Sequence, residues 1–111
     1  MLVLLMLIMN SLICLFLSLI FFNYFIMKKL YAVLLGGKIR EENLMEDHQL
    51  VFVVAENEKD ARKSAKLKWP EAESIHIDGT QHIRIVDGYQ IKIERSDNAD
   101  DKSEINNQYS I

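Results

Sequence analysis

Charge divides this chain more sharply than any other property. Residues 1–27 contain no Asp, Glu, Lys, Arg or His, whereas all 29 charged side chains fall within the remaining 84 residues. A helix of about 20 apolar residues spans the hydrocarbon core of a bilayer, so the first segment is long enough to cross one. The sequence therefore predicts an apolar helix and a small charged domain that fold in different surroundings.

The N-terminal segment is predicted to be an uncleaved, single-pass transmembrane anchor over residues 1–27. It lacks the basic start and the small-residue cleavage site of a secretory signal peptide. Lys28 and Lys29 follow it directly, and positive flanks stay on the cytoplasmic side, so we expect the folded domain in the cytoplasm. An alternative is that translation starts at Met27. Residues 1–27 would then be a mis-assigned leader of a soluble cytoplasmic protein.

The domain and the tail differ in charge. Residues 28–95 carry twelve basic and twelve acidic side chains, and residues 96–111 carry one basic and four acidic. A neutral domain gives no general electrostatic reason to expect nucleic acid as a partner. The tail is polar without apolar periodicity, so we predict that it is disordered. The single cysteine, Cys14, excludes an internal disulfide and a zinc cluster of thiolates.

Two apolar runs predict the first strands. The first, residues 30–35, ends at Gly36-Gly37, and a charged loop over residues 38–47 follows it. The second, residues 50–55, has apolar residues at both odd and even positions, which is typical of a strand covered on both faces. We therefore predict residues 50–55 as the central strand of the sheet.

A helix is predicted between Asn57 and Pro70. Asn57 is a good N-cap, acidic residues occupy the first turn and lysines the last, and these charges suit the helix dipole. Pro70 cannot continue a helix. The predicted core side is narrow, with Ala61, Ala65 and Trp69 at four-residue spacing, so the helix should approach a sheet closely.

Residues 74–95 are predicted to form a hairpin around Asp87-Gly88. Strict alternation over residues 75–85 would place four isoleucines on one face and five polar residues on the other: His76, Asp78, Thr80, His82 and Arg84. If apolar residues of one strand pair with apolar residues of the other, the turn is a three-residue loop, Val86-Asp87-Gly88, with Ile85 opposite Tyr89. Gly79 is a candidate for a bulge that would turn His82 away from the face of His76.

These elements predict a two-layer α+β domain over residues 28–95, in the order strand, strand, helix, strand, strand. One N-terminal transmembrane helix precedes it and the acidic tail, residues 96–111, follows it. A domain of this size buries only about 60% of its unfolded surface. We therefore expect self-association, in the form of a homo-oligomer.

Several short stretches, in this order, are similar to those of a known family: Leu30-Tyr31-Ala32-Val33-Leu34-Leu35-Gly36-Gly37, His48 ahead of Val51-Phe52-Val53-Val54, Trp69 followed by His76-Ile77-Asp78, and Val86-Asp87-Gly88-Tyr89. Over residues 29–93 the chain thus resembles the small bacterial family called domain of unknown function 1543 (DUF1543). The resemblance supports the fold. It implies no reaction, because the family has no assigned activity.

His76, Asp78 and His82 are the sharpest candidates for chemistry, and His48 near the neighbouring strand is a further candidate metal ligand. Imidazoles with a carboxylate can bind a divalent ion or act as acid and base. On a straight strand His76 and His82 would be about 20 Å apart, too far to share an ion without the bulge. The alternative is a solvated polar face.

The predicted helix also carries a basic stripe on its exposed side, namely Lys59, Arg62, Lys63 and Lys66. Beside a membrane, each cation near an anionic leaflet contributes about 1 kcal/mol to surface binding. The stripe is therefore a candidate membrane-surface contact. An ordinary solvated helix face is the alternative.

No assembled catalytic set is visible in the sequence, which has no P-loop, no Gly-x-Gly-x-x-Gly and no Ser or Cys nucleophile with an evident base. The leading hypothesis is a non-enzymatic binding or interaction module at the cytoplasmic membrane face, without a cofactor and with an unknown protein partner. The rival hypothesis is a small metal-dependent or acid/base enzyme that uses His76, Asp78 and His82.

Overall fold

The computed structural model describes residues 2–25, 27–98 and 100–108. Its elements are α1 (Leu2–Phe25), β1 (Lys29–Lys38), β2 (Asp47–Ala55), α2 (Glu58–Leu67), β3 (Glu73–His82), β4 (Ile85–Val86) and β5 (Tyr89–Gln90). This order confirms the predicted α+β class with an apolar N-terminal helix. Residues 91–98 and 100–108 have no helix or strand, and disorder of the tail stays a prediction.

Helix α1 is long and apolar enough to cross a membrane. Its segment Leu2–Ile20 has a mean hydropathy of 2.7, and none of it is buried. Within the described chain, α1 packs against no other element, so the domain does not shield the apolar side chains of residues 2–20 from water. The helix is thus a candidate membrane span, although a signal sequence would pass the same test of length and composition.

The main sheet is antiparallel, with strand order β2-β1-β3. The prediction that residues 50–55 form the central strand is wrong, because β1 pairs on both sides and β2 lies at an edge. Along β2 only alternate residues, Val51, Val53 and Ala55, are buried, so one face alone is covered. Gly36 and Gly37 lie inside β1 and do not end it.

Helix α2 covers one face of this sheet, as its sequence predicts. The Asn57 side chain accepts a hydrogen bond of 2.8 Å from the backbone N–H of Asp60, which confirms the N-cap. Ala61 and Ala65 are fully buried, and Trp69 closes the core just after the helix. The core beneath it contains Tyr31, Val33, Leu35, Val51, Val53 and Ala55.

A bulge in β3 interrupts the alternation of its side chains, so that even-numbered residues before and after the bulge lie on opposite faces of the sheet. Leu35 pairs with Ile77 but Leu34 pairs with Gly79, so Asp78 is an extra residue with no partner of its own in β1. The predicted irregularity at Gly79 is therefore confirmed. The strict alternation over residues 75–85 is wrong, because His82 lies opposite Tyr31 on the helix-covered face whereas His76 lies opposite Gly36 on the other.

The hairpin β4–β5 is separate from the main sheet and differs from its prediction. Ile85 pairs with Gln90 and Val86 with Tyr89, so the turn has two residues and the predicted three-residue loop is wrong. Asp87 and Gly88 both have positive φ, 53° and 83°, the backbone of a type I′ turn that suits strand twist. Both strands are exposed, so no buried face imposes matched alternation.

Candidate functional site

The face of the main sheet opposite α2 is uncovered, and we call it the open face. Among the described elements, none packs over it. Four large apolar side chains lie on it and form what we call the apolar stripe: Leu34, Leu50, Phe52 and Val54, with exposed fractions of 39–56%. Leu34 lies directly opposite Leu50 in the β1–β2 register. A contiguous exposed apolar patch indicates an interaction surface, whereas single exposed apolar residues are common on any protein.

At one end of the open face, two histidines and two carboxylates converge into a group that we call the His–carboxylate cluster: Glu46, His48, His76 and Asp78. His48 Nε2 lies 3.2 Å from Asp78 Oδ2 and 3.8 Å from Glu46 Oε2. His76 Nε2 lies 3.0 Å from Asp78 Oδ1 and 3.4 Å from Glu46 Oε1. Each imidazole nitrogen thus faces an oxygen of both carboxylates.

Strand pairing brings these side chains together. Gly36 on the central strand pairs with His48 on one side and with His76 on the other. Glu46 immediately precedes β2, and the bulge places the Asp78 carboxylate beside His76. The cluster therefore draws on both edge strands, across the central residue that they share.

Gly36 provides the space for this arrangement. A Cβ at position 36 would lie 2.6 Å from His76 Nε2 and 2.9 Å from Asp78 Oδ2. Real Cβ atoms essentially never approach other atoms within 3.0 Å. The lack of a side chain at Gly36 thus lets the imidazole and the carboxylate lie directly over the sheet.

The donor atoms could hold a metal ion. One donor atom each from Glu46, His48 and Asp78 lie within 4.8 Å of one another, and His76 contacts both carboxylates of that set. The side chains are 30–51% exposed, so an ion could reach them directly from solvent.

The structure brings together three of the four histidine and aspartate candidates predicted from sequence, namely His48, His76 and Asp78. It does not bring His82 to them, because the bulge turns that side chain to the other face. There the ring centroids of His82 and Tyr31 lie 5.1 Å apart. An acid/base set composed of His76, Asp78 and His82 therefore lacks the necessary proximity.

Electrostatics around His82 and Tyr31 favour their neutral forms. Loss of solvation lowers the pKa of His82, and the charges of Lys29 and Arg84 lower it further. Burial raises the pKa of Tyr31, with a further contribution from Glu58. This pair lies on the helix-covered face, where Tyr31 is buried and His82 is exposed, and it is separate from the cluster.

Glu46 is the cluster member that sequence reasoning missed. It was one of several acidic residues in a charged loop, where a solvated role is the usual one. The sequence signal that could have identified Glu46 is its position two residues before His48, because residues i and i+2 of an extended segment point to the same side.

The basic stripe of α2 lies on the side of the domain away from the open face. Lys59, Arg62, Lys63 and Lys66 are all exposed there. Contact of this stripe with a membrane surface stays a prediction.

Comparison with known proteins identifies a family that part of the chain matches. Residues 43–93 match the family model described as Domain of Unknown Function (DUF1543), which confirms the resemblance over a little under half of the 111 residues. The match begins just ahead of Glu46 and His48 and includes His76 and Asp78. Neither the curated proteins nor the solved structures contain a significant match.

Proposed function

We propose that this protein is a membrane-tethered, non-enzymatic interaction module whose open face binds a second copy of the same chain. The observation that supports the proposal is the apolar stripe, in which Phe52, near the middle of the edge strand β2, is 54% exposed. Full burial of an exposed side chain of this size gives about 1.5–3 kcal/mol. Roughly half of that gain is left for Phe52, so a partner that covers the stripe gains free energy.

A second copy suits this face because the stripe is its own complement. Two antiparallel sheets pack face to face with apolar side chains between them, about 10 Å apart. A two-fold contact then brings the same residues together from both chains. The domain carries twelve basic and twelve acidic side chains, so two copies approach each other without net repulsion.

The stripe alone is too small for a stable soluble dimer, and this makes the tether important. Two strands spaced about 4.8 Å apart, over about five residues each, give roughly 160 Å² of face, against about 800 Å² per partner in a standard interface. Two chains held in one bilayer by α1 have a raised effective concentration. The proposed function is therefore a weak contact that operates between membrane-anchored copies.

We place the domain on the cytoplasmic side of that bilayer. The supporting features are the uncharged α1 and the lysines that follow it, Lys28 and Lys29. The basic stripe of α2 would then contact anionic headgroups. Protease added to sealed vesicles of known orientation tests the placement. Cleavage of the tail when only the non-cytoplasmic face is accessible would contradict it. The intact mass of the protein from its own cells tests the alternative start at Met27.

The experiment for self-association uses the full chain in lipid vesicles. Donor and acceptor dyes are attached at Ser103→Cys in a Cys14→Ser background, and energy transfer between chains is measured at a fixed protein-to-lipid ratio. We expect transfer above that of randomly distributed chains, and we expect Phe52→Ser to reduce it to the random level.

The matched control is Leu67→Ser, which removes another exposed large apolar side chain, 78% exposed, from the end of α2. This variant should keep the transfer of the wild-type chain. Random transfer in the wild-type chain, or equal transfer in Phe52→Ser and wild type, would overturn the proposal.

A further inference from the structure

We propose that the His–carboxylate cluster is a binding site for a divalent transition-metal ion, with Zn²⁺ as the favoured ion. The donors are two imidazole nitrogens and two carboxylates. Imidazole suits zinc and its transition-metal neighbours, whereas calcium and magnesium prefer oxygen ligands. The inference does not depend on self-association, because none of its four residues belongs to the apolar stripe.

The nitrogen–oxygen separations are close to those between neighbouring ligands of a tetrahedral ion. Zinc binds nitrogen and carboxylate oxygen at about 2.0–2.2 Å, so neighbouring ligand atoms in a tetrahedral site lie about 3.3–3.5 Å apart. The four nitrogen–oxygen separations in the cluster range from 3.0 to 3.8 Å. These values lie on both sides of that edge length. His48 and His76 face different oxygens of each carboxylate, so an ion bound to both histidines requires the two carboxylates to turn.

Simple ion pairing explains this geometry less well. One imidazole N–H is satisfied by one acceptor oxygen, yet Nε2 of His48 and Nε2 of His76 each face oxygens from both Glu46 and Asp78. Two imidazoles that lie against the same two carboxylates form a ligand set that one cation can bridge. Exposed pairs of this kind also contribute little to stability, at about 0–1 kcal/mol each.

Two backbone features produce the arrangement independently of these contacts. Gly36 leaves the space that a Cβ would fill between the sheet and His76. The bulge adds Asp78 to β3 without a pairing partner, and bulges commonly redirect a side chain near functional sites. We assign Glu46, His48 and Asp78 as the first three ligands and His76 as the fourth.

The test is a titration of the purified full-length chain with zinc chloride by isothermal calorimetry, in detergent and without chelating buffer. We expect one zinc ion per chain and no competition from excess Mg²⁺. His76→Ala and the isosteric Asp78→Asn should each weaken zinc binding at least about tenfold, since changes even in groups that only support metal ligands weaken binding 10–100-fold.

The matched control is His82→Ala, which removes a histidine from the same strand but from the opposite face. It should bind zinc as the wild-type chain does. No zinc uptake at micromolar concentration by the wild-type chain overturns the inference, and so does an equal loss in His82→Ala and His76→Ala. Circular dichroism of each sample checks the fold, and Asp78→Asn tests the site if His76→Ala does not fold. Phe52→Ser should keep zinc binding, so failure of one proposal is distinguishable from failure of the other.

Discussion

Replacing Gly36 by alanine should separate the fold from the His–carboxylate cluster. The new Cβ would lie 2.6 Å from His76 Nε2, 2.9 Å from His76 Cε1 and 2.9 Å from Asp78 Oδ2. Ordinary contacts begin near 3.4 Å. The imidazole must therefore move by about 0.8 Å, several times the roughly 0.2 Å tolerance of a metal–ligand distance.

The cost to stability should nevertheless be small. The atoms that must move are the ends of two partly exposed side chains, which can rotate toward solvent. Alanine is also favoured over glycine in a strand by roughly 0.5–1 kcal/mol. We expect the free energy of unfolding of Gly36→Ala to lie within about 1 kcal/mol of the wild-type value, whereas zinc affinity falls at least about tenfold.

Gly37→Ala is the matched control on the other face. Its Cβ would lie 3.2 Å from the backbone oxygen of Glu73 and 3.3 Å from both the Trp69 ring and Ala72. These neighbours are packed and cannot rotate away, and overpacking costs about 1–3 kcal/mol. We expect Gly37→Ala to lose stability in urea unfolding and to keep zinc binding in calorimetry. Gly36→Ala with wild-type zinc affinity would refute the argument that this glycine makes room for the cluster.

Three further predictions concern stability. Asn57→Ala should lower the free energy of unfolding by about 1 kcal/mol in urea titration, because the backbone N–H of Asp60 loses its capping acceptor; an unchanged midpoint would contradict this role. Thr80→Val should raise it by about 1 kcal/mol, because Thr80 Oγ1 is buried without a hydrogen-bond partner among the described residues, and a lower melting temperature would argue against that cause. His82 has a lowered pKa, so the unfolded chain binds more protons and stability falls as pH drops through and below about 6.5. His82→Gln should flatten this part of the pH profile in urea unfolding between pH 5 and 8, and identical profiles would show that His82 is not responsible.

Local signals in the sequence predicted α2 well. The features that define it depend on residues a few positions apart: the N-cap, the charged ends, the buried alanines and the end of the helix ahead of Pro70. The bulge at Gly79 was also foreseeable, because glycine within a strand commonly marks one. These features need no knowledge of which strands are neighbours.

Features that depend on strand pairing were not predictable in the same way. The run over residues 50–55 is as apolar as a central strand, but apolar character does not say how many strands pair with it, and β1 takes the centre. The predicted three-residue loop at Asp87-Gly88 is wrong because faces need to match across a turn only where one of them is buried, and both β4 and β5 are exposed. The cluster joins Glu46 and His48 to residues about 30 positions later, across the β1–β2 and β1–β3 registers, and a single sequence does not specify those registers.

The additional residue in β3 also bears on how this sheet tolerates changes in chain length. A second register shift lies between Gly36 and Lys38, but on either side of the bulge Leu35 pairs with Ile77 and Val33 with Thr80. Deletion of Gly79 would let Asp78 pair with Leu34 and keep these two pairings. Deletion of one residue from β1 would instead shift the pairings of β1 with both β2 and β3. Insertions and deletions compatible with this domain should therefore occur near position 79 and not in the strand between its two neighbours.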